Sequence, residues 1–246
     1  MNRRPMLMLM LMLLLALVAL PGYAETIQVV TETSAYVYLK DGKVAGPATE
    51  VVEPTLRRAG LHDYRITLYP WARAYRLALS TPNVLIYLIA RTEMREPKFK
   101  WVGELGRIQY HLYKLADRSD IAVHNLADAR NYRIGVIRDD VREQYLRQQG
   151  FTRLVLAAEG LDNFKQLLNG RVDLLPLNDT DPALLCASMQ FDCSRLQRVL
   201  TLDKMSTGLY MAYSTTTPDE IVERTRQAFD AIKAEGLLEQ TMPGRH

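Results

Sequence analysis

The stretch Asn83-Val84-Leu85-Ile86-Tyr87-Leu88-Ile89-Ala90-Arg91-Thr92-Glu93-Met94-Arg95 decides the fold. Its apolar, β-branched run reads as a buried strand, and it ends abruptly in a polar segment with two arginines. In α/β folds, ligands bind outside the carboxyl ends of such strands. Arg95 is therefore a candidate ligand group. Spacing alone equally allows Arg91 and Arg95 to be solvated residues opening a surface helix.

Upstream, Ile27 to Thr31 alternates with β-branched residues and reads as a first strand. A loop from Glu32 to Tyr38 and a turn at Lys40-Asp41-Gly42-Lys43 follow. Val51, Val52, Leu56 and Ala59 share one face of a helix over 48–59, with Gly60 placed as its C-cap glycine. Tyr64 to Leu68 reads as a second strand, and Pro70-Trp71 opens a helix through Leu79. The order βαβαβ predicts a parallel sheet flanked by helices.

Downstream, the spacing predicts a loop over Phe99–Gly103 and one alternating strand from Arg107 to Leu115. A short helix is expected at 126–130, then a second βαβαβ unit beginning near residue 116. Its strands fall at 133–137, 154–156 and 172–177, and its helices at about 140–149, 161–168 and 182–189. A last strand at 209–214 and a long amphipathic helix from Pro218 through Ala234 close the chain. Two α/β units without a loose linker predict two lobes with a cleft between them.

The chain has 246 residues, 48% hydrophobic and 24% charged, with a formal charge of +3. That composition is ordinary for a globular protein. Asn2-Arg3-Arg4, an apolar run from Met6 to Leu20, and Gly22 with Ala24 match a cleavable signal peptide over 1–24. The apolar run is shorter than the roughly 20 residues that span a bilayer. Removing Arg3 and Arg4 lowers the charge from +3 to about +1, which leaves no basic surplus for nucleic acid. An exported chain can join Cys186 to Cys193, although free, buried thiols fit the sequence as well. Two cysteines and four scattered histidines give no zinc spacing, and no cofactor is expected.

Thr92-Glu93-Met94-Arg95 after a strand, Gly170-Arg171-Val172-Asp173 before one, and Met211-Ala212-Tyr213-Ser214 leading into Thr217-Pro218-Asp219-Glu220 occur in a familiar order. In this the mature chain resembles a periplasmic solute-binding protein of the polar amino-acid family (family 3 type), which serves ABC transporters. The resemblance implies the two-lobe periplasmic binding protein fold, type II. Each lobe would be a mixed or parallel sheet flanked by helices, with two crossing hinge strands between. Lobe one would comprise 25–113 and the return segment 204–246, and lobe two would be 114–203.

By the same resemblance, Arg95 holds the carboxylate of an amino acid or related ligand, to which a guanidinium offers a planar, bidentate fork. Ala90 stands where the family has a small hydroxyl residue just before the Thr92 motif. Tyr36 and Trp71 match ligand-facing aromatics, with Tyr38 nearby; ordinary core packing is the alternative. Arg73 is either a second anion contact or a solvated helix residue. In lobe two, Asp139 and Asp140 stand at a helix start, as an N-cap or as contacts to a cationic group. Asn178, or Asp179 beside it, falls where the family pairs an acid with the ligand ammonium.

The expected function is periplasmic, non-enzymatic binding of a small carboxylate-bearing solute in the interlobe cleft by a monomer. The partner is then an inner-membrane ABC permease, or a membrane sensor in its place. The alternative is a dehydratase of prephenate-like substrates on the same fold, with Asp139, Asp140 or Asp179 as the acid.

Overall fold

The computed structural model describes residues 26–242, so the signal peptide read at 1–24 lies outside the described residues. The strand read at the start is β5 (Val84–Ala90). It lies inside a five-stranded sheet of order β4-β1-β5-β12-β6. There β1 (Ile27–Thr31), β4 (Tyr64–Leu68) and β5 run parallel. Helices α1 (Pro47–Arg58) and α2 (Trp71–Ser80) make the crossovers and cover the two faces. Six of the seven β5 residues are buried, as expected of a strand covered on both faces. The seventh, Leu88, has a φ of 61° and sits where the register against β12 slips. Such a bulge re-aims the side chains that follow it.

Two expectations fail between residues 99 and 115. Phe99–Gly103 is not a loop but the start of a ten-residue strand, β6 (Phe99–Ile108). The alternating run over 107–115 is not one strand: it breaks at Gln109, and β7 (Tyr110–Leu115) enters another sheet. β6 exists because β12 (Thr207–Ser214) pairs with it over its whole length, a partner more than 100 residues away.

β7 is the middle strand of β10-β7-β11, with β10 (Leu175–Asn178) and β11 (Leu196–Thr201) antiparallel to it. A parallel pair, β8 (Ile134–Ile137) and β9 (Leu154–Ala157), joins this unit through an Ile134–Leu174 bridge. Helices α3 (Val141–Gln148), α4 (Gly160–Leu168) and α5 (Asp181–Ser188) pack around it. The chain returns through Leu202–Ser206 to β12, and α6 (Asp219–Ala234) and α7 (Leu237–Thr241) finish the first lobe. Both connections between the lobes lie side by side. The Leu202 N–H donates to the Tyr110 carbonyl at 2.8 Å, and the Gln109 side chain donates to the Leu202 carbonyl at 2.9 Å.

A hairpin, β2 (Tyr38–Lys40) and β3 (Lys43–Ala45), projects from the first lobe through an Asp41-Gly42 turn with positive φ at both residues. Gly46, at φ 120°, lies so close to Tyr36 that a Cβ there would come 2.5 Å from its carbonyl oxygen. In the second lobe Cys186 and Cys193 form a disulfide that ties the end of α5 to the following turn. No helix among the described residues is long and apolar enough to cross a membrane.

Candidate functional site

The carboxyl ends of β1 and β5 face the amino ends of α3, α4 and α5 across a cavity of about 350 Å³. That is the volume of roughly a dozen waters. Its walls come from both lobes and from the connections between them, Ile108, Tyr110 and Leu209 included. Of the residues expected at the site, Arg95, Ala90, Trp71, Tyr36, Asp140 and Asn178 line it.

Arg95 is buried at 1% exposure, whereas Arg91, four residues earlier, pairs on the surface with Glu96. The difference comes from a turn. Arg95 and Glu96 both donate their N–H to the Thr92 carbonyl, which swings residue 95 inward. Its guanidinium lies against the rings of Trp71 and Tyr75, at 5.3 and 4.9 Å. Nε donates to Gln144 Oε1 at 3.1 Å, Nη1 to the Ala90 carbonyl at 3.2 Å and Nη2 to the Asp139 carbonyl at 3.2 Å. Burial lowers its pKa from the ordinary arginine value, with Asp140 opposing that shift. Gln144 and Asp139 belong to the second lobe, so Arg95 bridges the lobes through protein groups.

Asp139 occupies the left-handed region, at φ 60°. Its carbonyl also accepts from Trp71 Nε1 at 3.0 Å and Gln144 Nε2 at 3.1 Å, and its own N–H donates to Glu143 Oε2 at 2.6 Å. The Asp139 side chain is exposed and lies outside the cavity. Asp140 caps α3, accepting from the Arg142 N–H at 2.9 Å, and pairs with the Arg142 guanidinium. Burial works to raise the Asp140 carboxyl, but Arg142 outweighs it and holds the group below the usual range. Arg142 also reaches Asp181 at 3.2 Å and stacks over Tyr110 at 5.3 Å. Burial keeps Asp181 above the usual carboxylate range, against the pull of Arg142.

Besides Asp139, four of the expected site residues are placed elsewhere. Tyr38 is on the exposed hairpin, because its strand has no layer over it. Arg73 stacks on Tyr69 at 4.1 Å with its side chain in solvent. Thr92 contributes its carbonyl to the turn that aims Arg95. Asp179 is not among the lining residues and meets His111 Nε2 at 2.8 Å, while His111 Nδ1 lies 3.0 Å from Thr201 Oγ1. Asn178 lines the cavity, yet its Oδ1 accepts from the N–H groups of Thr180 and Asp181 at 2.8 and 3.0 Å. It organises the turn into α5.

Sequence reasoning missed four charged members of this wall, Glu32, Arg142, Glu159 and Asp181, and a fifth residue, the bulged Leu88. Glu32 lies just past the carboxyl end of β1, the position rule that pointed to Arg95. Its carboxyl is pushed up to about 8, first by desolvation and then by Asp140, Asp181 and Glu159, against the pull of Arg142. Glu32 and Glu159 make no side-chain hydrogen bond or salt bridge to any described residue. No group of three His, Cys, Asp or Glu among the described residues is arranged to hold a metal.

No protein-family profile matches the chain, and no curated protein matches it by sequence. Solved structures do. A histidine kinase sensor domain with similarity to periplasmic binding proteins superposes with a TM-score of 0.78 at 18% identity, covering 88% of this chain and 94% of that one. An ancestral arginine-binding protein bound to arginine gives 0.74 at 15% identity, covering 88% and 96%. The arginine-, lysine-, histidine-binding protein of Geobacillus stearothermophilus gives 0.73 at 15% identity, covering 90% and 97%. The chain therefore has the two-lobe periplasmic binding protein fold, shared with substrate-binding proteins of amino-acid ABC transporters.

Proposed function

We propose that the chain is an exported, monomeric solute-binding protein that encloses an amino acid, or a close relative of one, and delivers it to an ABC permease in the inner membrane. The observation that carries this reading is the interlobe cavity of about 350 Å³, lined by ionisable and aromatic groups from both lobes. An ancestral arginine-binding protein of the same fold binds arginine and glutamine. Lobe one, 25–113 with 204–246, would rotate against lobe two, 114–203, about Gln109 and the Leu202–Ser206 connection. Residues 1–24 direct export to the periplasm, where the Cys186–Cys193 disulfide persists.

The test is thermal shift and calorimetry of the mature chain against the common amino acids, their amines and small carboxylates. A solute at 100 times its Kd adds about 3 kcal/mol, or about 5 to 10 °C in Tm. Silence across every class of solute overturns the reading.

One observation favours a second reading. A carboxyl held protonated near neutrality, as Glu32 is, is what acid-assisted loss of a hydroxyl requires. Incubation with prephenate or arogenate separates the two: formation of an aromatic product would make the chain an enzyme. A membrane receptor could equally take the permease's place, as the sensor-domain likeness suggests; co-purification with detergent-solubilised membrane proteins distinguishes these partners.

A further inference from the structure

We infer that the cavity takes an organic cation without a free α-carboxylate, a primary amine or guanidine of amino-acid size, and that Glu32 pairs with it. This rests on the reading of the cavity as a solute site, and it narrows the solute class.

Arg95 is committed elsewhere. Each of its three nitrogens already donates to a protein oxygen, on Gln144, Ala90 and Asp139, and aromatic rings pack against the guanidinium. A carboxylate binds a guanidinium through two parallel bonds. To do so here it would have to displace the Asp139 carbonyl, which Trp71 and Gln144 also hold. The turn facing Arg95 presents an oxygen rather than a donor. Three of the N–H groups in that turn are occupied too: Asp139 donates to Glu143, Asp140 to the Ile137 carbonyl and Arg142 to the Asp140 side chain.

The balance of charge points the same way. The cavity is lined by four carboxyl groups, Glu32, Asp140, Glu159 and Asp181, and by two guanidiniums, those of Arg95 and Arg142. Asp140 and Asp181 share Arg142. Among the described residues, neither Glu32, just past β1, nor Glu159, just before α4, has a salt-bridge partner. An arriving ammonium or guanidinium takes the place of the proton that Glu32 otherwise holds and leaves the carboxylate paired with a cation, and the Tyr36 ring in the same wall suits a cation. A zwitterion brings the cation together with a carboxylate, for which Arg95 has no open donor pair.

The experiment is calorimetry of the mature chain with matched pairs: agmatine against arginine, cadaverine against lysine, putrescine against ornithine. At least one amine is expected to bind as tightly as its parent amino acid or more tightly. Its affinity should fall at least tenfold in Glu32→Gln and be largely retained in Glu32→Asp, with circular dichroism melts to establish that each variant folds. An amino acid that binds tenfold or more tighter than its amine overturns the inference and leaves solute binding standing, as does binding by only neutral or anionic solutes. An amine that binds Glu32→Gln unchanged overturns the role of Glu32. If no solute of any class binds, both the inference and the carrier reading fall.

Discussion

The carbonyl of Asp139 accepts a hydrogen bond from Nη2 of Arg95 at 3.2 Å across the gap between the lobes. Removing the guanidinium takes a donor from three oxygens, of which the Asp139 carbonyl keeps Trp71 and Gln144, and opens a void beneath Trp71 and Tyr75. Hydrogen bonds to a charged group contribute about 1.5 to 3 kcal/mol each, and they do not add fully. Arg95→Ala should therefore lower stability by about 3 to 5 kcal/mol, a drop in Tm of roughly 10 °C. A melt within about 1 °C of the parent would show that these contacts contribute nothing.

Glu32 gives the chain an unusual response to alkali. Its carboxyl titrates near 4.5 when free and about 8 in the folded protein. Between those values the folded state binds a proton that the unfolded state has lost, so stability from this group is full below 4.5 and declines as pH rises through about 8. The groups facing it are Asp140 and Arg142 from the start of α3, Glu159 before α4 and Asp181 opening α5. In melts recorded from about pH 5 to pH 9, Glu32→Gln should lose much of the decline shown by the parent. Parallel curves would contradict the shift.

At the acid end the controlling group is Asp173. Arg133 bonds it through side chain and backbone, Arg118 adds a third partner, and together they hold its carboxyl down to about 2. Its contribution is present above the ordinary carboxylate value of 3.8 and disappears as pH falls through about 2. Asp173→Asn should lower Tm by several degrees at neutral pH and bring the variant level with the parent at the lowest pH. A gap that stays constant through acid would assign the loss to packing instead.

The disulfide closes a short loop, Cys186 and Cys193 being separated by seven positions in sequence. Loop-closure entropy for that length is worth about 2 kcal/mol, or about 5 °C in Tm. Cys186→Ser with Cys193→Ser should show this loss without reductant, and reductant should bring the parent down to the same Tm. Equal melts in all four conditions would remove the bond from the energetics.

Much of the first lobe was legible because its signals are local. β5 is one continuous apolar run, and α1 and α6 repeat their apolar residues at helical spacing. β6 was hidden because Pro97 and Gly103 mark a loop by local rules, while the strand depends on pairing with β12 far down the chain. The site divides the same way. Arg95 and Asp140 followed from position and motif order. Glu32 did not, since a single acid after a strand carries no period, and its surroundings come from residues more than 100 positions later. The family position that falls on Asn178 or Asp179 lies just short of Asp181, whose carboxyl reaches Arg142. Nothing in a run of β-branched and apolar residues announces that Leu88 adopts a positive φ.

The joint between the lobes is unequal: Gln109 alone on one side, Leu202 to Ser206 on the other, stitched together at Leu202. A lever turning on such a fulcrum barely displaces the atoms beside it and sweeps the distant ones furthest. Ile108 and Tyr110 flank the fulcrum and line the cavity, so they form a floor that stays in register at every angle. Asp139, Glu159 and Asp181 ride on the far arm. On the rotation proposed above, shape would be read continuously and charge only at the end of the stroke, so a molecule that fits the floor but lacks the right charge would be released before the jaws meet.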